Sequence, residues 1–361
     1  MFTESPKRNA APLLLFLLLC SCGASGQQQQ PKSAAPKPPQ ERKSSADRAP
    51  IDDNKFAIVI AGVGGEDLYR KKFTEQATLL YSTLTEKLGF AEQNTILLTE
   101  GGAGDADEGA PSEPARRSTA EEVKKAFESL KSRSKQDSLV FVFLIGHGSF
   151  DNQIAKFNLV GPDLSAKDYA GLLSALPSKR VVFVDCSSSS GEFIKPLSGE
   201  GRIILTATRS GNEQNVTVFA DHFIAALTDP AADADKNGRI SVLEAFTFAS
   251  KQTADWYKQK DRLATEHALI DDNGDGTGHE DATAGDGVLA KTTYIDSKPI
   301  GQASGDAELA ALLKKRQELE EAVEKLKARK AEMKAEEYDS ELERLLVELA
   351  KTSQAIKSRQ K

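Results

Sequence analysis

Five short apolar runs punctuate the middle of the chain, at residues 56–61, 94–99, 138–145, 180–184 and 202–206. Each is too short for a typical helix and rich in β-branched or aromatic residues, as buried strands are. Segments with apolar positions at helical spacing lie between and after them. Residues 69–88 put Phe73, Ala77, Leu80, Leu84 and Leu88 on one face. Residues 119–132, 164–176 (closed by Pro177), 219–227 and 242–258 read as further helices. This alternation predicts an α/β domain: an open, mainly parallel sheet of about six strands with helices on both faces.

The ends of the chain follow other patterns. Lys7 and Arg8 precede an apolar run at 12–19, too short to span a bilayer as a helix, so residues 1–22 read as a processing signal. Residues 25–50 are rich in Gln, Pro, Ser and Lys with almost no large apolar side chain; a flexible linker over 23–54 is expected. The folded α/β domain then covers 55–300, interrupted by a Gly-, Asp- and Glu-rich loop at 101–117. From 305 to 361 the chain is almost all Ala, Glu, Lys, Leu and Arg. Leu309, Leu312, Leu319, Val323, Leu326 and Met333 recur at alternating three- and four-residue spacing, and Leu342, Leu345, Leu349 and Ile356 repeat the seam after Tyr338. Arg316 and Lys330 interrupt it. The arm reads as two coiled-coil helices, folded back as a hairpin or packed on a partner chain; a solvated arm without a partner is the alternative.

A formal net charge of −7, with no basic patch, argues against nucleic acid as a partner. The segment Leu19-Cys20-Ser21-Cys22-Gly23 resembles the lipobox of bacterial lipoproteins, with Cys22 as the acylated residue. That resemblance implies a lipid-anchored protein of the bacterial cell envelope, most simply at the outer membrane; an ordinary signal peptide cut nearby is the alternative. With lipid on Cys22, Cys186 would have no partner for an intramolecular disulfide.

Candidate chemistry sits where two strands end. The run at 138–145 leads into Gly146-His147-Gly148, and the run at 180–184 into Asp185-Cys186-Ser187-Ser188-Ser189-Ser190-Gly191. Parallel neighbours would deliver both segments to one sheet edge, where open α/β sheets place ligands. Over roughly residues 55–226 this arrangement resembles the caspase–legumain clan of cysteine peptidases, which carries His-Gly after one strand and a nucleophilic Cys, usually as Cys-x-Ser-Gly, after the next. The resemblance implies a caspase/legumain-like fold acting on a peptide or protein substrate. His147 would be the general base or acid, and the Gly148 N–H an oxyanion donor. Matching Ser190-Gly191 puts the clan's nucleophile at Ser188, where there is no thiol, while the nearest thiol, Cys186, lies two residues early. Three readings stay open: Ser188 as nucleophile, Cys186 as nucleophile, or an inactive site. A hydroxyl needs a well-placed base more than a thiol does. Free Cys is often simply a small buried hydrophobe. The Gly62-Val63-Gly64-Gly65 turn is not a dinucleotide fingerprint, because Asp67 occupies the third glycine position.

Residues 233–244 match the calcium loop of EF-hand proteins, and the family resemblance is direct. Carboxylates stand at positions 1 and 3 (Asp233, Asp235), an amide at 5 (Asn237) and a glycine at 6 (Gly238). The Arg239 carbonyl follows at 7, Ser241 at 9 and a bidentate Glu244 at 12. A second segment, 271–282, begins the same way with Asp271, Asn273 and Asp275 but has Ala282 at position 12. Calcium is therefore expected at the first loop and is a weaker expectation at the second. His267 and His279 flank the latter without the Cys/His partners of a transition-metal site. Two functions remain in view: an envelope endopeptidase stabilised by calcium, or a catalytically inactive calcium-binding scaffold that keeps a peptidase-like fold.

Overall fold

A computed structural model describes residues 49–104, 115–282, 285–297, 307–328, 330 and 333–359. The expected signal, Cys22, nearly all of the linker and the middle of the 101–117 loop lie outside the described residues. The central strands are β1 (Lys55–Ala61), β2 (Thr95–Thr99), β4 (Leu139–Ile145), β8 (Arg180–Asp185) and β9 (Arg202–Thr206), with edge strands β3 (Arg116–Arg117) and β10 (Leu269–Asp271). They form one seven-stranded sheet in the order β10-β9-β8-β4-β1-β2-β3, parallel except for β10. The expected count of about six is exceeded because the two edge strands are two and three residues long, too short to leave a periodic signal.

The central strands are apolar on both faces because both faces are covered. Phe141, Phe143 and Ile145 of β4 enter one core with α1 (Asp67–Glu86), α5 (Phe219–Ala226) and α6 (Val242–Gln259), and Val140, Val142 and Leu144 enter the other. That second core holds Val123, Ala126, Phe127 and Leu130 of α2 (Ala120–Arg133), Tyr169 and Leu173 of α3 (Ala166–Ser174), and both ends of the short α4 (Ile194–Leu197). Phe141 and Phe143 are fully buried, so truncation of either to Ala should cost roughly 3–5 kcal/mol. The segment read as a helix from residue 164 starts instead as β7 (Leu164–Ser165), paired with β6 (Ala155–Phe157). With β5 (Gly148–Phe150) these make a small antiparallel sheet beside the strand ends. Ser165 then caps α3, its hydroxyl accepting from Asp168 N–H while Asp168 answers the Ser165 N–H.

At the opposite end of β1, buried Lys55 reaches the carbonyls of Ile295 (2.7 Å) and Asp296, tying the segment after α7 (Val288–Thr292) to the sheet. Beyond it, α8 (Ala307–Ala328) and α9 (Ala335–Arg359) pack together as a hairpin, one of the two arrangements the seam predicts. Leu319, Val323 and Leu326 meet Tyr338 and Leu345 in one cluster, and Leu309 and Leu313 meet Ile356 in another. None of the described helices is long and apolar enough to cross a membrane.

Candidate functional site

Strands β4 and β8 are parallel neighbours, with Leu144 opposite Asp185, so Gly146–Gly148 and the serine run leave the sheet side by side. His147 does not turn toward that run. Its ring lies edge-on between Tyr69 (5.2 Å) and Phe73 (5.1 Å), and its Nε2 is 3.2 Å from the Gly64 carbonyl oxygen. A carbonyl can only accept, so Nε2 carries the proton and the base lone pair of the neutral ring is on Nδ1. Burial pushes the imidazole below its ordinary pKa, which keeps it neutral at pH 7. The glycine turn after β1 thus seats His147: Gly64 accepts from the ring and donates its own N–H to Glu100 Oε2 at 2.8 Å.

Every serine of the run is buried and hydrogen-bonded. Ser187 gives both its N–H (2.9 Å) and its hydroxyl (2.6 Å) to Asp185 Oδ1. Ser188 Oγ donates to the Gly148 carbonyl at 3.0 Å and accepts from Gly148 N–H at 3.1 Å. Ser189 Oγ donates to the Gly211 carbonyl at 3.0 Å, and Ser190 Oγ pairs with the Thr208 hydroxyl at 3.1 Å. Ser188 lies on the turn after β8, and its hydroxyl faces the Gly148 backbone. The Gly148 N–H expected to hold an oxyanion is engaged by that same hydroxyl. Cys186 follows β8 directly; its side chain lies in the core with Val184, Leu205 and Phe219, and burial pushes its thiol pKa well above the ordinary value. No hydrogen bond joins His147 to Ser188 or Cys186 among the described residues.

Sequence reasoning passed over Asp185. It is fully buried, its Oδ2 has no hydrogen-bond partner among the described residues, and burial pushes its carboxyl up to about 6. The one signal was an acid ending an otherwise apolar strand.

The first calcium-type loop is assembled. Asp233, Asp235 and Glu244 bring one carboxylate oxygen each within 4.8 Å of one another, and no other such group occurs among the described residues. The turn needs left-handed backbone at Lys236 (φ 58°) and Gly238 (φ 84°), the latter costing little at glycine. Asp233 accepts from the N–H groups of Asn237 (3.0 Å) and Gly238 (2.9 Å). Glu244 Oε1 accepts from Ala234 and Asp235 N–H at 3.0 and 3.2 Å, and its Oε2 takes the Ser241 N–H and hydroxyl at the start of α6. Burial, and secondarily the neighbouring Asp235 charge, raises the pKa of Asp233 and of Glu244, the condition a cation relieves. The Arg239 side chain leaves the loop to pair with Asp296 (2.7 Å) over the Tyr294 ring. These oxygen donors fit calcium, a hard cation.

The second loop copies part of this pattern. Asp271 accepts from Gly274 and Gly276 N–H at 3.0 and 3.1 Å, and Asp275 Oδ1 from Thr277 N–H at 2.7 Å. Where Glu244 receives the second and third N–H groups of the first loop, buried Asp286 receives those of the second, Asp272 N–H at 2.9 Å and Asn273 N–H at 3.3 Å. Its other oxygen is held by His279 Nδ1 at 2.5 Å. Asp286 thus stands where Ala282 leaves a gap in the sequence pattern, displaced four residues along a longer loop. Sequence spacing alone could not find it.

The arm supplies a residue to the first loop. Arg316 of α8, far from disrupting the α8–α9 seam, points to the domain and pairs with Asp235 at 2.7 Å.

No family model matches the sequence, and a search of curated proteins finds no match. Among solved structures, a structural-genomics protein of Geobacter sulfurreducens is similar at 12% identity, covering 60% of this chain and 92% of its own, with a TM-score of 0.39. The Drosophila initiator caspase Dronc is similar at 11% identity, covering 64% of this chain and 85% of its own, with a TM-score of 0.38. Both scores are too low to assign a family or an activity.

Proposed function

We propose that the chain is a calcium-stabilised, non-catalytic scaffold of the bacterial cell envelope, built on a peptidase-like α/β domain and held at the membrane by lipid on Cys22. One observation carries the reading. The acid groups of the 233–244 loop are gathered around one point, whereas His147, Ser188 and Cys186 each engage a different neighbour. Asp233, Asp235, Asn237, Ser241, Glu244 and the Arg239 carbonyl would hold calcium, which offsets the mutual repulsion of three clustered carboxylates, those of Asp233 and Glu244 partly buried. The second loop, through Asp271, Asn273 and Asp275, is a further calcium candidate. The arm, through its exposed α9 residues Leu346 and Val347, is the part available to a coiled-coil partner or a second copy.

The test has two arms. Purified protein is treated with a reactive peptidase probe, which should leave it unlabelled, and melted with calcium or with chelator, where calcium should raise the melting temperature. Labelling that disappears in His147→Ala would overturn the non-catalytic half of the reading.

An envelope endopeptidase remains the second reading, favoured by the adjacency of Gly148 and Ser188. It requires substrate to draw the Ser188 hydroxyl off the Gly148 backbone and His147 to leave Gly64. Hydrolysis of a peptide library, abolished by Ser188→Ala and insensitive to thiol blockers, would select it; the opposite pattern would select Cys186.

A further inference from the structure

Arg316 of the arm meets one acid of the calcium-type loop, Asp235, and that acid is already in use. Arg316 Nη2 lies 2.7 Å from Asp235 Oδ2, and Nη1 donates to the Asp235 carbonyl at 3.4 Å. The same Oδ2 accepts from Asn237 Nδ2 at 3.1 Å, while Oδ1 accepts from Asn237 N–H at 3.0 Å. Oδ2 thus already has two donors, so a metal that takes Asp235 through that oxygen must displace one of them. Asn237 can rotate its amide and offer the oxygen that position 5 of the loop requires. Arg316 has only positive charge to offer and no acceptor. It is also poorly provided for elsewhere. The residue is 9% exposed, its Nε is buried without a hydrogen-bond partner among the described residues, and its other nearby acid, Glu320, is 3.9 Å away. A buried guanidinium that loses its closest carboxylate is strongly unfavourable.

Resting on the calcium reading, we infer that Arg316 is an intramolecular competitor for the metal site, so that calcium at 233–244 and the docked α8–α9 arm exclude each other. Coupling of this kind is reciprocal: whatever calcium does to the arm, the arm does to calcium affinity by the same factor. Calcium entry releases Arg316 and loosens α8 from the loop. Loss of calcium lets the guanidinium return as the loop's cation. The hairpin is thereby presented or withdrawn according to calcium.

The test compares the full chain with its Arg316→Gln variant. Calorimetric titration with calcium chloride should show the variant binding roughly tenfold more tightly, within the usual range of coupling between two sites. Amide hydrogen exchange across α8 and α9 should speed up in the wild type when calcium saturates, and should be fast in the variant without calcium. Calcium binding with unchanged arm exchange in the wild type, or binding no tighter in the variant, overturns this inference and leaves the calcium reading standing. No binding in either protein overturns both.

Discussion

Ser188 and Gly148 hold each other in both directions, the Gly148 N–H reaching the Ser188 hydroxyl at 3.1 Å and that hydroxyl reaching the Gly148 carbonyl at 3.0 Å. One side chain thereby satisfies a donor and an acceptor of the strand end that carries His147. Ser188→Ala should accordingly behave as a stability mutation. Leaving those backbone groups unpaired should cost about 1–3 kcal/mol, measured by chemical denaturation. Gly148→Ala should be worse, because an added Cβ would collide with the Ser188 carbonyl oxygen. Ser188→Ala with unchanged stability and loss of a hydrolytic activity would contradict this account.

Cys186 should be inert in the folded protein. Burial and a raised thiol pKa leave almost no thiolate at neutral pH, and the thiolate is the reactive form. Mass-spectrometric mapping after iodoacetamide treatment should find Cys186 unmodified under native conditions and fully modified in denaturant. Rapid native labelling would show that the loop opens in solution.

Two buried acids set a pH dependence. Glu266 receives Val218 N–H (2.8 Å), Phe219 N–H (3.2 Å) and the Tyr257 hydroxyl (3.0 Å) at the start of α5, and burial pushes its carboxyl up to about 7. Asp185 is pushed up to about 6 in the same way. Both bind a proton more tightly folded than unfolded. The stability they contribute is full below the unfolded values of about 4 and is lost as pH rises through about 6 and 7. With chelator present, Glu266→Gln should therefore gain on the wild type between pH 5 and 8, by on the order of 3 kcal/mol. An identical pH profile for the two proteins would remove Glu266 from the account.

The lipid anchor makes a separate prediction. The mature protein should begin at Cys22 and fractionate with membranes, and Cys22→Ser should move it to the soluble fraction with altered mobility. The same fraction and mobility for both forms would contradict it.

The central strands were legible as short, continuous runs of β-branched and aromatic residues, and the two main helical faces as apolar residues at helical spacing. Residues such as Phe141 and Phe143 alternate with Val140 and Val142, and both sets are buried. The first calcium-type loop was legible because all its donors fall within twelve consecutive residues, with fixed spacing. What sequence could not reveal depends on contacts between distant segments. Strand β10 is three residues long and owes its place to pairing with β9. Asp286 reaches its loop through a longer detour than the motif allows. Arg316 reads locally as a fault in a heptad seam and becomes intelligible only beside Asp235, 81 residues earlier. The serine run shows the same limit. Position marked Ser188 as a nucleophile, but the direction of its hydroxyl is set by the Gly148 backbone across the strand ends.

The measurement closest to the central claim is the melting temperature of the full chain with calcium and with chelator, taken for the wild type and for Glu244→Gln. A ligand that binds only the folded state stabilises it by about 2.7 kcal/mol at a hundredfold excess over its dissociation constant. The account predicts a clear rise with calcium in the wild type and little or none in Glu244→Gln. The same melting temperature with calcium and with chelator in the wild type would contradict it.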